Sequence, residues 1–148
     1  MVSYSGRRQI SLSFIAVAAV RLNHSDAPLA MEMVMTKQDD EWRAQVRLLN
    51  DQFRVRGLGL GSFMHTNGVH ERGPQFVLAA VLAVRSFSEF TANNDPYGEH
   101  DFGAFEIGGE KLFFKIDYYD LKLEAHSPDA TDAVITHRVL TIMLASEY

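Results

Sequence analysis

A chain of 148 residues, 47% hydrophobic and 22% charged, has the size and composition of one folded domain, which excludes both a disordered tail and two full cores. The absence of cysteine excludes a disulfide framework, a thiolate metal site and a cysteine nucleophile. The net charge of −5 is uneven: after Arg85 four Lys and Arg face twelve Asp and Glu, a local charge of −8, so contact with a phosphate backbone is expected only from the first half.

In chain order, Arg7 and Arg8 precede an apolar run from Ile10 to Val20 that is too short to span a bilayer. The stretch fits an export signal, a disordered appendage, or an upstream start ahead of Met31, Met33 or Met35. The periodic, capped pattern begins right after Met35, and this favours the late start. The expected organisation is therefore a disordered or mis-started extension over 1–34 and a single globular domain over 35–148.

Thr36 with Asp39 three residues on reads as a helix cap, and Asp39, Asp40 and Glu41 complement the dipole of a first turn. Trp42, Val46, Leu49 and Phe53 then recur at helical spacing, and Gly57 follows as a stop. Arg43, Arg47, Asn50 and Arg54 form a second stripe on the same wheel. Arg43, Arg47 and Arg54 are the candidate binding residues for a phosphate backbone. As a solvated stripe off the apolar face, they are expected to tolerate charge reversal without loss of fold.

Gly57, Gly59 and Gly61 alternate in a stretch that is either a strand with one bare face or a flexible loop; it follows a helix, which excludes a nucleotide-binding loop. Asn67-Gly68 predicts a turn. Gly73-Pro74 opens a second helix, in which Phe76 to Val84 is apolar on nearly every side and needs cover on several faces, from the core or from a homo-oligomer contact. Ser86 to His100 is a polar loop. Phe102 to Ile107 and Glu110 to Tyr119 flank Gly108-Gly109, the signature of a two-residue hairpin. Asp132 caps a last helix through Ile135, Val139, Ile142 and Met143, with a strand over Val139 to Leu144 as the alternative. The expected fold class is α+β: a small antiparallel sheet built on the Gly-Gly hairpin and packed against about three helices.

Chemistry-bearing residues gather just before the hairpin. Asp95, Glu99, His100 and Asp101 are metal-ligating or proton-transfer types, and Asp95, Glu99 and His100 are the candidate metal ligands. Strand geometry separates them, because His100 faces one way and Glu99 with Asp101 the other. Extending the Gly-Gly register instead sets His100 across from Asp117 and gathers His100, Asp117, Lys115, Tyr119 and Phe102 on one mixed face. His100, Asp117, Lys115 and Tyr119 are accordingly the candidate catalytic residues.

The words "NNDPYGEHDFGAFE", "KIDYYD" and "RVLTIMLASEY" resemble the small bacterial proteins of domain-of-unknown-function family 3768, over Asp39 to Tyr148 and chiefly from Phe87 onward. The resemblance implies that Tyr148 is a natural C-terminus and that residues 1–34 lie outside the family domain. No activity, cofactor or catalytic residue is assigned to the family, so none carries over.

Two functions follow. The favoured one is a cytoplasmic, non-enzymatic binding or regulatory module for a protein or small ligand, or for nucleic acid through the arginine stripe, with no membrane association. The alternative is a hydrolase with His100 and Asp117 as general base, Lys115 or Tyr119 assisting, and a metal held by Asp95 or Glu99.

Overall fold

The computed structural model describes residues 27–148, so the apolar run from Ile10 to Val20 lies outside the described residues. The chain divides into two compact units, Met1–Glu41 and Trp42–Tyr148. A 30-residue helix, α1 (Ala27–Arg56), contributes residues to both.

Helix α1 begins nine residues before the expected cap at Thr36. The intervening Ala30, Met31, Glu32, Met33 and Met35 are strong helix formers with no breaker among them, and Pro28 sits in the first turn, where a missing N–H costs nothing. The Thr36 hydroxyl donates back to the carbonyls of Glu32 and Met33 (3.1 and 3.0 Å), the way a mid-helix threonine satisfies itself. The boundary expected at Met35 thus falls inside α1.

In the second unit the order is β1 (Gly61–His65), α2 (Asn67–Glu71), α3 (Pro74–Ser86), β2 (Phe102–Ile107), β3 (Glu110–Tyr119), β4 (His137–Leu144) and a 3₁₀ turn, Ala145–Glu147. The fold is α+β. Its four strands run β1-β4-β3-β2, with β1 parallel to β4 and the other pairs antiparallel, so the sheet is mixed and not purely antiparallel. Gly108 and Gly109, at φ 59° and 83°, connect Ile107 to its partner Glu110, and Phe105 stands opposite Leu112. Asn67-Gly68 opens α2 and is not a free turn.

Segment His137–Leu144 is a strand, which corrects the preferred helix. Val139, Thr141 and Ile142 are β-branched, and β4 pairs on both edges, with β1 and β3. A strand covered from several sides reads as a continuous apolar run, and this run mimicked helical spacing. Asp132 accepts from the backbone N–H of Val134 (2.8 Å) in a turn and caps no helix.

One face of the sheet carries the core. Leu112, Phe114 and Ile116 of β3 and Leu140, Ile142 and Leu144 of β4 are buried with Phe53, Val69, Ala80 and Val84 from the helices. Two glycines are there because helix-side rings press on the sheet: a Cβ on Gly103 would lie 2.3 Å from the Phe114 ring, and one on Gly61 2.3 Å from the Phe53 ring. Helix α3 is less enclosed than its sequence suggests. Ala80 and Val84 face the core, whereas Leu78 and Leu82, one turn apart, remain exposed.

Candidate binding groove on the open sheet face

Alternation along the strands sends every second side chain away from the helices. Lys115, Asp117 and Tyr119 of β3 therefore share the outer face with Phe102, whose β2 position pairs with Lys115. Lys115 Nζ lies 2.7 Å from Asp117 Oδ2, and this bond raises the lysine pKa. Phe102 and Phe113 both pack edge-on or tilted against Tyr148, with ring centroids 5.6 and 5.4 Å away. Tyr119 stacks on His126 (6.0 Å, 9°) and stands opposite His137. An open groove of about 480 Å³ lies where this face meets the polar loop, lined by Tyr97, Asp101, Phe102, Lys115, Asp117 and Tyr148 among others.

His100 is not part of this face. Regular pairing of β2 ends at Phe102, although Ile116 N–H still donates to the Asp101 carbonyl (2.7 Å), and at His100 the backbone turns to φ 55°. That left-handed residue swings the imidazole to the helix side, so the expected pairing with Asp117 does not occur. Its Nδ1 instead lies 2.9 and 3.1 Å from the Asp51 carboxylate oxygens, and its ring stacks on Phe90 at 3.7 Å. Asp51 also accepts from Arg54 (3.0 Å). The result is a tether from the loop to α1.

The candidate metal ligands are likewise engaged locally. Asp95, buried, accepts from the backbone N–H groups of Glu99 and His100 (2.8 and 3.2 Å). Glu99 accepts from the Tyr118 hydroxyl (3.4 Å). Among the described residues no group of three or more His, Asp or Glu side chains is placed to hold a metal ion.

The arginine stripe is divided. Arg54 is buried: its Nη1 donates to the carbonyls of Val84 (2.5 Å) and Phe87 (3.0 Å) at the end of α3, and its guanidinium lies over Phe90 and Phe114. Free carbonyls at a helix C-terminus are where a cation belongs. Arg54 is therefore structural, which corrects the expectation that the stripe is solvated. Arg43 lies over the Tyr97 ring (5.7 Å), and Arg47 donates to the Gly98 carbonyl (3.5 Å), so both face the polar loop.

Several consequential residues carry roles that the sequence reading did not assign, among them Asn50, which the helical wheel had set on the arginine stripe. Asn50, fully buried, donates to the Glu99 carbonyl (2.8 Å) and to Tyr118 Oη (2.7 Å) while its Oδ1 accepts from Arg138 Nε (2.9 Å). Arg138, also buried, donates to the Ala130 carbonyl (2.6 Å) and lies over the Tyr118 ring. Burial lowers the Arg138 pKa and raises that of the Tyr118 phenol. A signal existed: Val46, Asn50 and Phe53 sit at i, i+4 and i+7, which places Asn50 on the apolar stripe. On the outer face Ser62 Oγ and His137 Nε2 are 2.9 Å apart, joining β1 to β4. That pair becomes visible only once β4 is known to be a strand.

Burial raises the pKa of Asp101, with the Asp95 and Asp117 carboxylates adding to it. Glu99 is raised as well, first by burial and then by Asp101. Among the described residues Asp101 makes no ion pair.

Fold and groove together define an α+β domain whose mixed sheet is backed by helices on one face and bears a ring-lined, partly charged groove on the other. The chain belongs to the family described as protein of unknown function (DUF3768), whose model matches residues 65–147, more than half of the chain. Comparison with the curated proteins and with the solved structures finds no match. No helix among the described residues is long and apolar enough to cross a membrane.

Proposed function

We propose that this domain is a non-enzymatic binding module and that its ligand surface is the outer sheet face at the groove beside the polar loop. The observation that carries this reading is the groove itself: about 480 Å³ of open space walled by aromatic rings and by an ion pair whose members both sit on β3. Binding surfaces commonly join apolar rings to a few placed polar groups. The polar loop that forms one wall is held by Asp95, His100 and Asn50, so the wall is preorganised, which lowers the entropic cost of association.

Catalysis draws less support. The imidazole of the proposed general base is covered by Phe90, engaged with Asp51, and remote from the face that holds Lys115, Asp117 and Tyr119. Nucleic-acid binding through α1 loses Arg54 to the core.

The test is selection of peptides from a random displayed library against the purified protein, followed by binding to Phe102→Ala and Tyr148→Ala variants whose folding is checked by circular dichroism. Peptides that bind the wild type and lose affinity for both variants support the module. Failure to enrich any peptide, or binders indifferent to both substitutions, would place the ligand surface elsewhere.

A further inference from the structure

The groove opens beside a strand edge whose backbone has unmet hydrogen-bonding groups. In the β2–β3 ladder Ile107 pairs with Glu110 across the two-residue connection, and at the other end Ile116 N–H donates to the Asp101 carbonyl (2.7 Å). Bonded and non-bonded pairs alternate along an antiparallel ladder, so Asp101, Gly103, Phe105 and Ile107 turn their backbone groups to β3. Phe102, Ala104 and Glu106 turn theirs away. β2 ends the sheet, and among the described residues no strand pairs with that side and no turn or loop backbone bonds to it. Such an edge is normally blunted by Lys, Pro, a bulge or a covering element. β2 reads FGAFEI, with no Pro and no Lys, and pairs with β3 in unbroken register. The opposite edge, β1, is five residues long and has the Arg85 guanidinium 5.7 Å from its Phe63 ring.

We infer that β2 takes an extended segment of a partner protein as a fifth strand of the sheet, bonded to the backbone of Phe102, Ala104 and Glu106. The inference rests on the binding-module reading and gives its mode: Phe102 lines the groove, so a segment on this edge runs into it. Strand alternation sets the chemistry of the segment. On the helix side its side chains would lie beside Phe105 and Ile107, which pack against the core and are only partly buried, so those positions are apolar. On the other side small Ala104 leaves room next to Phe102. A second copy fits less well. Self-pairing about Ala104 sets Phe102 opposite Glu106, and the chain after Arg85 has twelve Asp and Glu against four Lys and Arg, so two such halves repel.

Hydrogen exchange of the full-length ¹⁵N-labelled chain tests the edge directly. In the free protein the amides of Phe102, Ala104 and Glu106 should exchange at least about tenfold faster than those of Gly103 and Phe105. Saturation with the tightest peptide from the displayed library should slow the first three and leave Gly103 and Phe105 as they were. Protection of Phe102, Ala104 and Glu106 in the free chain overturns the inference, since the edge is then filled by another part of this chain or, where protection fades on dilution, by a second copy. Ala104→Pro removes an outward N–H, leaves the β3 ladder whole, and should weaken the peptide by about tenfold or more. Where that variant loses its cooperative melt, N-methylation of the peptide at successive residues asks the same question of an unaltered protein: losses should alternate along the peptide. Peptides that lose affinity for Phe102→Ala yet ignore Ala104→Pro, or tolerate N-methylation at every position, leave the module standing and overturn the added strand. An empty selection, or peptides indifferent to Phe102→Ala and Ala104→Pro alike, removes the module and the strand together.

Discussion

Arg47 and Arg54 lie seven residues apart on one helix and look interchangeable on a helical wheel, yet one donates to a loop carbonyl at the surface and the other fills the core beneath Phe90 and Phe114. Arg54→Glu should therefore cost about 3–5 kcal/mol, since it removes the cation at the end of α3 and buries an unpaired carboxylate near Asp51. Arg43→Glu and Arg47→Glu should each cost about 1 kcal/mol or less. Urea unfolding of the three single variants separates the two classes; similar midpoints for all three would return Arg54 to the surface stripe. Asn50→Ala should cost about 2–3 kcal/mol, because Arg138 Nε loses its acceptor in a buried setting. Asp101 and Glu99 supply a pH signature. Both carboxyls titrate above their ordinary values when folded, so the folded state keeps protons that the unfolded chain has released. Their contribution disfavours folding above the raised pKa and fades as pH falls to the ordinary carboxylate value. Asp101→Asn should thus raise Tm at neutral pH and leave it unchanged in acid, read by thermal melts across that range. A neutral-pH loss of stability would contradict the burial argument.

At the scale of elements, the hairpin and α3 were legible because their signals are local. Two glycines at positive φ set one register, and Gly73-Pro74 starts a helix by backbone geometry alone. The start of α1 and the nature of β4 were not legible for opposite reasons. A well-formed cap at Thr36 carried less weight than seven good helix formers before it, and β4 owes its state to two neighbours distant in sequence. The same distance hid the candidate site. His100 left the face assigned to it because one left-handed residue ended the strand, while Lys115, Asp117 and Tyr119 kept theirs because strand alternation follows from sequence once pairing is known. Gly103 is a test at this scale: its Cα proton faces the Phe114 ring at a distance that no side chain fits. Gly103→Ala should destabilise by about 1–3 kcal/mol through forced movement of Phe114 and Phe87. A neutral effect in chemical denaturation would show that those rings can shift freely.

Taken whole, the second unit is asymmetric. Helices, core and the buried Asn50–Arg138 pair lie on one side of the sheet, and the other side bears rings, an ion pair and a groove. Of the groups that looked catalytic or metal-binding in the sequence, His100 and Asp95 are spent on holding the loop, His100 against α1, and this is what gives the groove a fixed wall. The most direct measurement is amide shift mapping of the ¹⁵N-labelled protein during titration with a selected peptide. The account predicts that the largest shifts fall on Phe102, Lys115, Asp117 and Tyr148 and on the loop from Asn93 to Tyr97. Shifts concentrated instead on α3 around Leu78 and Leu82, with the outer sheet face silent, would contradict it.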